Sequence, residues 1–179
     1  KSGGTLYYSA QGTGAWTVCG NGTLTANSRV GYAVLDDVMI VGDGTAVSRH
    51  TSNGTSFTNT TGAPLAEHFT DFQSRIYAAR GTATAGSNTD MFYSTTGTAS
   101  DWTSDSTSVR IPGPGRVNSL FKSADRVIAT KDSGAMFRWD GARLLDLATT
   151  LGPSSPYSIA ENEGFRLYLN RNGIVGYGG

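Results

Sequence analysis

The sequence predicts an all-β fold assembled from repeated four-stranded antiparallel units. Three observations carry that prediction: a nine-residue pattern that recurs four times, short apolar runs punctuated by Gly, Asn and Asp, and the absence of any window with helical periodicity. The pattern reads Asp36 to Gly44 (DDVMIVGDG), Gln73 to Gly81 (QSRIYAARG), Ala124 to Asp132 (ADRVIATKD) and Gly164 to Asn172 (GFRLYLNRN), with starts 37, 51 and 40 residues apart.

Each copy opens on turn residues and runs into a β-branched or aromatic strand. A further strand candidate precedes each copy: Gly31 to Leu35, His68 to Phe72, Val117 to Phe121 and Tyr157 to Ala160. Another follows: Thr45 to Ser48, Met91 to Ser94, Ala135 to Arg138 and Gly173 to Gly176, with an additional member, Leu6 to Ser9, opening the chain. Asp-Gly, Asn-Gly and Asp-Asp between such runs are hairpin signals. Most of the following strands then lead through a Gly or Asn turn to an aromatic, at Trp16, Phe57 and Trp102; in the remaining case Trp139 stands before the turn Asp140-Gly141. Ala142 to Leu151 reads equally as a turn of helix or as a fourth strand. Elsewhere the density of Gly, Thr, Ser and Asn disfavours helix interiors.

A unit of 37 to 51 residues with four strands has the size of a β-propeller blade, which stacks on its neighbours because one small sheet buries too little apolar surface alone. A sandwich would space its strands similarly without repeating its sequence. The reading is therefore a propeller, or part of one, of four-stranded antiparallel blades: a half blade over 1–28, blades over 29–65, 66–114 and 115–152, and an incomplete blade over 153–179. Seventeen strands do not divide into complete blades of four, so the chain is expected to be a window on a longer protein.

Composition excludes several classes. Fourteen basic and fourteen acidic residues cancel, leaving no global field for nucleic acid or anionic lipid, and no specific nucleic-acid binding is expected. Charged residues are only 16% of the 179, and Gly numbers 24, the profile of a neutral, turn-rich chain. No run approaches the length of a membrane span. A single cysteine, Cys19, allows no internal disulfide, and His50 and His68 stand 18 residues apart without metal-site spacing, so neither metal nor cofactor is expected.

No nucleophile elbow, phosphate loop or dinucleotide fingerprint occurs. Arg75, Arg126 and Arg166 share one position of the repeat, and equivalent positions in successive blades can converge on an axis to bind a carboxylate or phosphate. Val38 at the first copy breaks such a ring, and each arginine also serves simply to begin a strand after a turn. The acids Asp36, Asp37, Asp71, Asp101, Asp105, Asp125, Asp140, Asp146, Glu161 and Glu163 lie mostly in turns, where the side chain bonds its own backbone. Trp16 and Trp102 read as rings that fill gaps between sheets. Aromatics that could stack on a sugar are Tyr7, Tyr93, Tyr157 and Trp139.

The segments Ser9 to Trp16, Thr51 to Phe57 and Ser94 to Trp102 loosely resemble Asp-box hairpins, with Gln11, Asn53 and Thr96 where the Asp would stand. Ile111 to Phe121, continuing through Ala124 to Lys131 and Ala135 to Gly141, resembles the repeat of propeller proteins in tailed-bacteriophage particles, as does Arg75-Ile76-Tyr77 followed by Met91 to Gly97 and Ser100 to Thr103. The resemblance covers residues 73–141. It implies a non-catalytic structural component of a phage tail, nozzle, hub or connector, located in the virion, contacting other virion or tail proteins and homo-oligomeric in a symmetric assembly. The alternatives are a carbohydrate-binding propeller that takes a glycan, with an extracellular location, and, further off, a sialidase-like glycosidase.

Overall fold

The computed structural model describes residues 3–10, 14–79, 88–105, 107–162 and 165–178. Seventeen strands among these residues form five antiparallel sheets in chain order, and within each sheet every strand pairs with its sequence neighbour. The first sheet holds β1 (Thr5–Tyr8) and β2 (Thr17–Thr23). The second holds β3 (Gly31–Leu35), β4 (Val38–Gly42), β5 (Arg49–Thr51) and β6 (Thr58–Asn59). The third holds β7 (His68–Phe72), β8 (Arg75–Ala79), β9 (Asp90–Tyr93) and β10 (Thr107–Arg110). The fourth holds β11 (Val117–Ser123), β12 (Arg126–Lys131), β13 (Met136–Trp139) and β14 (Leu144–Ala148). The fifth holds β15 (Ala160–Asn162), β16 (Phe165–Asn170) and β17 (Gly173–Gly178).

The tight hairpins follow from their turn residues. Asp36 and Asp37 take φ of 47° and 63°, and Gln73 and Ser74 take 45° and 55°. Two left-handed residues in a two-residue loop match the twist of the flanking strands and lock the register of β3 on β4 and of β7 on β8.

Register decides what is buried, because alternate residues point to opposite faces. In the second strand of each unit one face looks back to the preceding sheet and the other forward to the next. Met39 and Val41 look back onto Cys19, Leu24 and Phe57, while Val38 and Ile40 look forward onto Phe69, Ile76 and Ala78. Tyr77 and Ala79 look forward in turn onto Val117, Val127 and Ala129. Ile128 looks forward onto Tyr168. The core is thus a series of four apolar layers, one between each pair of neighbouring sheets, with each sheet buried by the next.

Large rings wedge these layers. Phe57 fills the first and Trp102 the second, its Nε1–H donating to the Ala99 carbonyl at 3.0 Å. Trp139 fills the third and donates to the Tyr77 hydroxyl at 3.3 Å. Close approach between the second and third sheets requires glycine at the paired positions Gly31 and Gly42, where a Cβ would land on the carbonyl oxygens of Glu67 and Ala66. Lys131 is buried in the third layer with Nζ donating to the carbonyls of Ile111 (3.1 Å), Pro112 (3.2 Å) and Gly113 (2.6 Å), and burial pulls its pKa below 10.5.

Several expectations need correction. Thr45 to Ser48 is not a strand: the Asp43 carboxylate accepts from the N–H groups of Thr45 (3.0 Å) and Ala46 (2.7 Å), folding that segment into a turn, and the strand begins at Arg49. Tyr157 and Ser158 lie in a 3-10 turn, Pro156–Ser158, capped by the Ser155 side chain, so the strand starts only at Ala160. Ala142 to Leu151 resolves as strand, over Leu144–Ala148. Trp16 is 70% exposed, with no sheet among the described residues in front of the first for it to wedge against. Arg80, Gly81, Gln11, Glu163 and Gly164 lie outside the described residues.

Candidate functional site

The first strands of the units lie side by side, β3 against β7 and β7 against β11, with β15 completing the row. They line a cavity of about 710 Å³ that adjoins a second of about 490 Å³. One position recurs in all four strands, the residue two before each tight hairpin: Val34, Asp71, Lys122 and Glu161. All four line the larger cavity. The convergence expected of equivalent positions is real, therefore, but it belongs to the first strand of the unit and not to the arginines of the second.

The charges of this ring neutralise one another. Lys122 Nζ lies 2.9 Å from the Asp71 carboxylate, and Arg166 pairs with Glu161 while its second nitrogen donates to the Lys122 carbonyl at 2.8 Å. Tyr32 and the buried Thr70 and Ser123 complete the polar lining. Each of the two acids is paired with a cation.

The three arginines separate. Arg75 donates to the Ser94 carbonyl at 2.5 Å, pairs with Asp105 at 2.8 Å and lies 4.9 Å over the Tyr93 ring. Arg126 pairs with its neighbour Asp125. Arg166 does not share their position. Phe72 pairs with Arg75 and Ser123 with Arg126 across their two-residue turns, but Asn162 pairs with Phe165, so Arg166 stands one residue later and faces the fourth sheet. A one-residue slip sends a side chain to the opposite face, which is why these residues form no common anion site.

At one end of the smaller cavity Arg29 lies 3.8 Å over the Tyr157 ring, and His68, buried, stands 3.1 Å from the Glu67 carboxylate. This contact joins the segment before β3 to the turn before β15, across the row of first strands. Of the expected sugar-stacking aromatics, Trp139 is only 8% exposed and Tyr93 lies beneath Arg75, whereas Tyr7 is 38% exposed and Tyr157, with Arg29 over one face of its ring, 49% exposed. His50 Nδ1 lies 3.0 Å from the Thr60 hydroxyl, and burial lowers its pKa. Among the described residues no group of three or more His, Cys, Asp or Glu is placed to hold a metal ion, and no helix is long and apolar enough to cross a membrane.

The turn acids serve their own backbones. Asp140 accepts from Ala142 and Arg143 N–H at 2.9 and 2.7 Å. Asp101 is held well below the usual carboxylate range by the Ser104 hydroxyl at 2.6 Å and by Thr103. In the loop at Thr51, the Asn53 side-chain carbonyl accepts from Thr55 and Ser56 N–H at 2.9 and 3.1 Å, the work the Asp of an Asp-box would do. This loop also docks on the first sheet, with Gly20 N–H donating to Thr55 and Phe57 N–H to Gly20.

Fold and site define an all-β protein of successive antiparallel sheets, three of them four-stranded, with a charge-balanced cavity along its first strands. No protein-family model matches the chain, and no curated protein matches it. Among solved structures it is similar to the computationally designed Ika4 protein, with a TM-score of 0.56 at 12% identity over 87% of this chain and 94% of that one. It is likewise similar to the computationally designed Ika8 protein, with a TM-score of 0.56 at 12% identity over 97% of this chain and 55% of that one, so it spans little more than half of the Ika8 length. At this identity the likeness is one of fold alone.

Proposed function

We propose that the sheets are blades of a propeller and that the protein is a non-catalytic structural module, acting through contacts with other proteins in a larger symmetric assembly. The observation that supports this most directly is the outer face of the fifth sheet, where Phe165, Leu167, Leu169 and Ile174 are all exposed. Apolar side chains gathered on one sheet face mark a surface that another sheet or another protein covers. The mutual neutralisation of Asp71, Lys122, Glu161 and Arg166 supports the non-catalytic part of the reading. The setting in a phage tail or connector rests on the sequence resemblance over residues 73–141 alone.

The test is cross-linking mass spectrometry on the source preparation, with peptide mapping around Lys1 and Gly179. Cross-links from the fifth sheet to other proteins of one particle are the expected result. Recovery of the chain only as a free species, without protein cross-links, would overturn the reading.

A further inference from the structure

We propose that the cavity along the first strands binds a small neutral polyhydroxylated ligand, a mono- or disaccharide, held between the third, fourth and fifth sheets. This site is independent of the protein contacts proposed above. Its residues come from the first two strands of three successive sheets.

The group that points to a ligand is Ser123. It ends β11 at the tight hairpin, is 4% exposed and lines the larger cavity, yet its Oγ makes no hydrogen bond to the protein. Another serine on the same face of that strand is satisfied, the Ser119 hydroxyl lying 2.5 Å from that of Thr130. Arg126, paired with Ser123 across the hairpin, turns instead to Asp125. A buried hydroxyl without a partner is costly, and one held at a cavity wall is placed to bond a group that enters the cavity.

The charged residues beside Ser123 select the class of ligand. Lys122 Nζ donates to Asp71 Oδ2 at 2.9 Å, which leaves its other protons and Asp71 Oδ1 for further bonds. Arg166 spends its terminal nitrogens on the Glu161 carboxylate and on the Lys122 carbonyl, while Glu161 keeps Oε1. The Asp71, Lys122 and Glu161 side chains are all half open to solvent. Acceptor and donor thus alternate along one arc of the wall, with Ser123 able to act as either. An anion in the cavity meets Asp71 and Glu161 as well as the two cations, and a cation meets the reverse, so a net charge loses at one residue what it gains at the next. A zwitterion would have to part the Asp71–Lys122 pair to match it. A sugar hydroxyl has neither difficulty, because it accepts from Lys122 while donating to Asp71 or Glu161, and vicinal hydroxyls on one ring reach neighbouring members of the arc. Tyr32 of β3 adds an aromatic ring to the wall. The volume, about 710 Å³, lies within the roughly 300–1,000 Å³ of small-molecule sites.

The experiment titrates the isotope-labelled chain and follows its backbone amide NMR shifts. Glucose, galactose, mannose, N-acetylglucosamine and lactose are the neutral probes; glucuronate, glucosamine and glycine are the anionic, cationic and zwitterionic ones. Saturable shifts at Thr70, Asp71, Lys122, Ser123, Glu161 and Arg166 are expected with at least one neutral probe, and binding at least ~10-fold weaker with the charged ones. Ser123→Ala, shown to be folded by its thermal melt, should weaken the binding about 5- to 10-fold, the effect of one lost hydrogen bond. Asp71→Asn, which gives the arc a net positive charge, should shift the preference toward glucuronate. No saturable shift with any neutral probe at up to about 50 mM overturns the proposal. So do shifts that cluster elsewhere on the molecule, tighter binding of glycine or of a charged probe by the wild-type chain, or binding that Ser123→Ala leaves unchanged. The same sugars displayed as terminal residues on a glycan array separate two sources of one ligand: capture there supports a glycan carried by another molecule, and binding of the free sugar alone supports a soluble one.

Discussion

Replacing Asp43 tests how the first two sheets are fastened. Its side chain is buried, and the two carboxylate oxygens divide their work. Oδ1 accepts from Thr45 and Ala46 N–H at 3.0 and 2.7 Å, shaping the local turn. Oδ2 accepts from Thr25 N–H at 2.6 Å and the Ser28 hydroxyl at 2.9 Å, tying the segment that leaves the first sheet to the second. Burial alone would raise the carboxyl's pKa, but the Ala46, Thr45 and Thr25 N–H groups and the Ser28 hydroxyl outweigh it and bring it from 3.8 down to about 2. A depression of that size corresponds to about 2 kcal/mol of stability. The folded value lies below the unfolded one, so this contribution is complete above about 3.8 and is lost as pH falls through about 2. Asp43→Asn can still accept at the turn, but its NH2 group meets the Thr25 N–H, donor against donor. The variant should lose about 2 kcal/mol at neutral pH and show less loss of stability between pH 4 and pH 2 than the wild type, by urea denaturation across that range. A variant as stable as the wild type at pH 7, with an unchanged acid profile, would refute this account of the carboxylate.

Three further outcomes are expected. Trp102→Ala, which empties the wedge between the second and third sheets, should cost about 3–5 kcal/mol, whereas Trp139→Phe, which keeps a ring but loses the bond to the Tyr77 hydroxyl, should cost about 1–2, both by chemical denaturation. Burial lowers the pKa of His50 below 6.5, so the unfolded chain takes up that proton first and stability falls as pH drops below about 6.5; His50→Gln should flatten the melting temperature between pH 7 and pH 5. Gly42→Ala, whose Cβ would meet the Ala66 carbonyl, should cost about 1–3 kcal/mol, while Gly54→Ala, in open space at φ 71°, should cost only about 1.

The sheets were legible because turn chemistry is local. Asp36-Asp37 and Gln73-Ser74 announce where a chain reverses, and the β-branched and aromatic runs between such turns have little choice but to pair. The errors arose where a side chain acted over a few residues to override propensity. Thr45 to Ser48 reads as a strand until the Asp43 carboxylate takes two of its N–H groups, and Tyr157 until Pro156 and the Ser155 cap start a 3-10 turn. Trp139 was legible as a ring near a turn but not as a buried one, since its burial depends on Tyr77, 62 residues away. The charge-balanced cavity was not legible as a site. Its members Asp71, Lys122 and Glu161 differ in sign and size, and only their equal distance from the hairpin marks them as one position.

That same distance explains why the arginine ring failed. Side-chain similarity aligns Arg166 with Arg75 and Arg126, and by residue type the match is good. The hairpin, however, sets which face a residue takes, and across it Phe165, not Arg166, holds the place of the other two. Two consequences follow from one residue of offset. Arg166 turns inward, joins Glu161 and bonds the Lys122 carbonyl, so that it neutralises the cavity where a true equivalent would leave it alone. Phe165, Leu167 and Leu169 turn outward together, where the alignment by type would have buried Leu167 and Leu169 against the fourth sheet. The neutral cavity and the apolar outer plate are therefore products of the same register, and a chain that exposes three large side chains to bury one arginine is organised around a surface that another sheet covers.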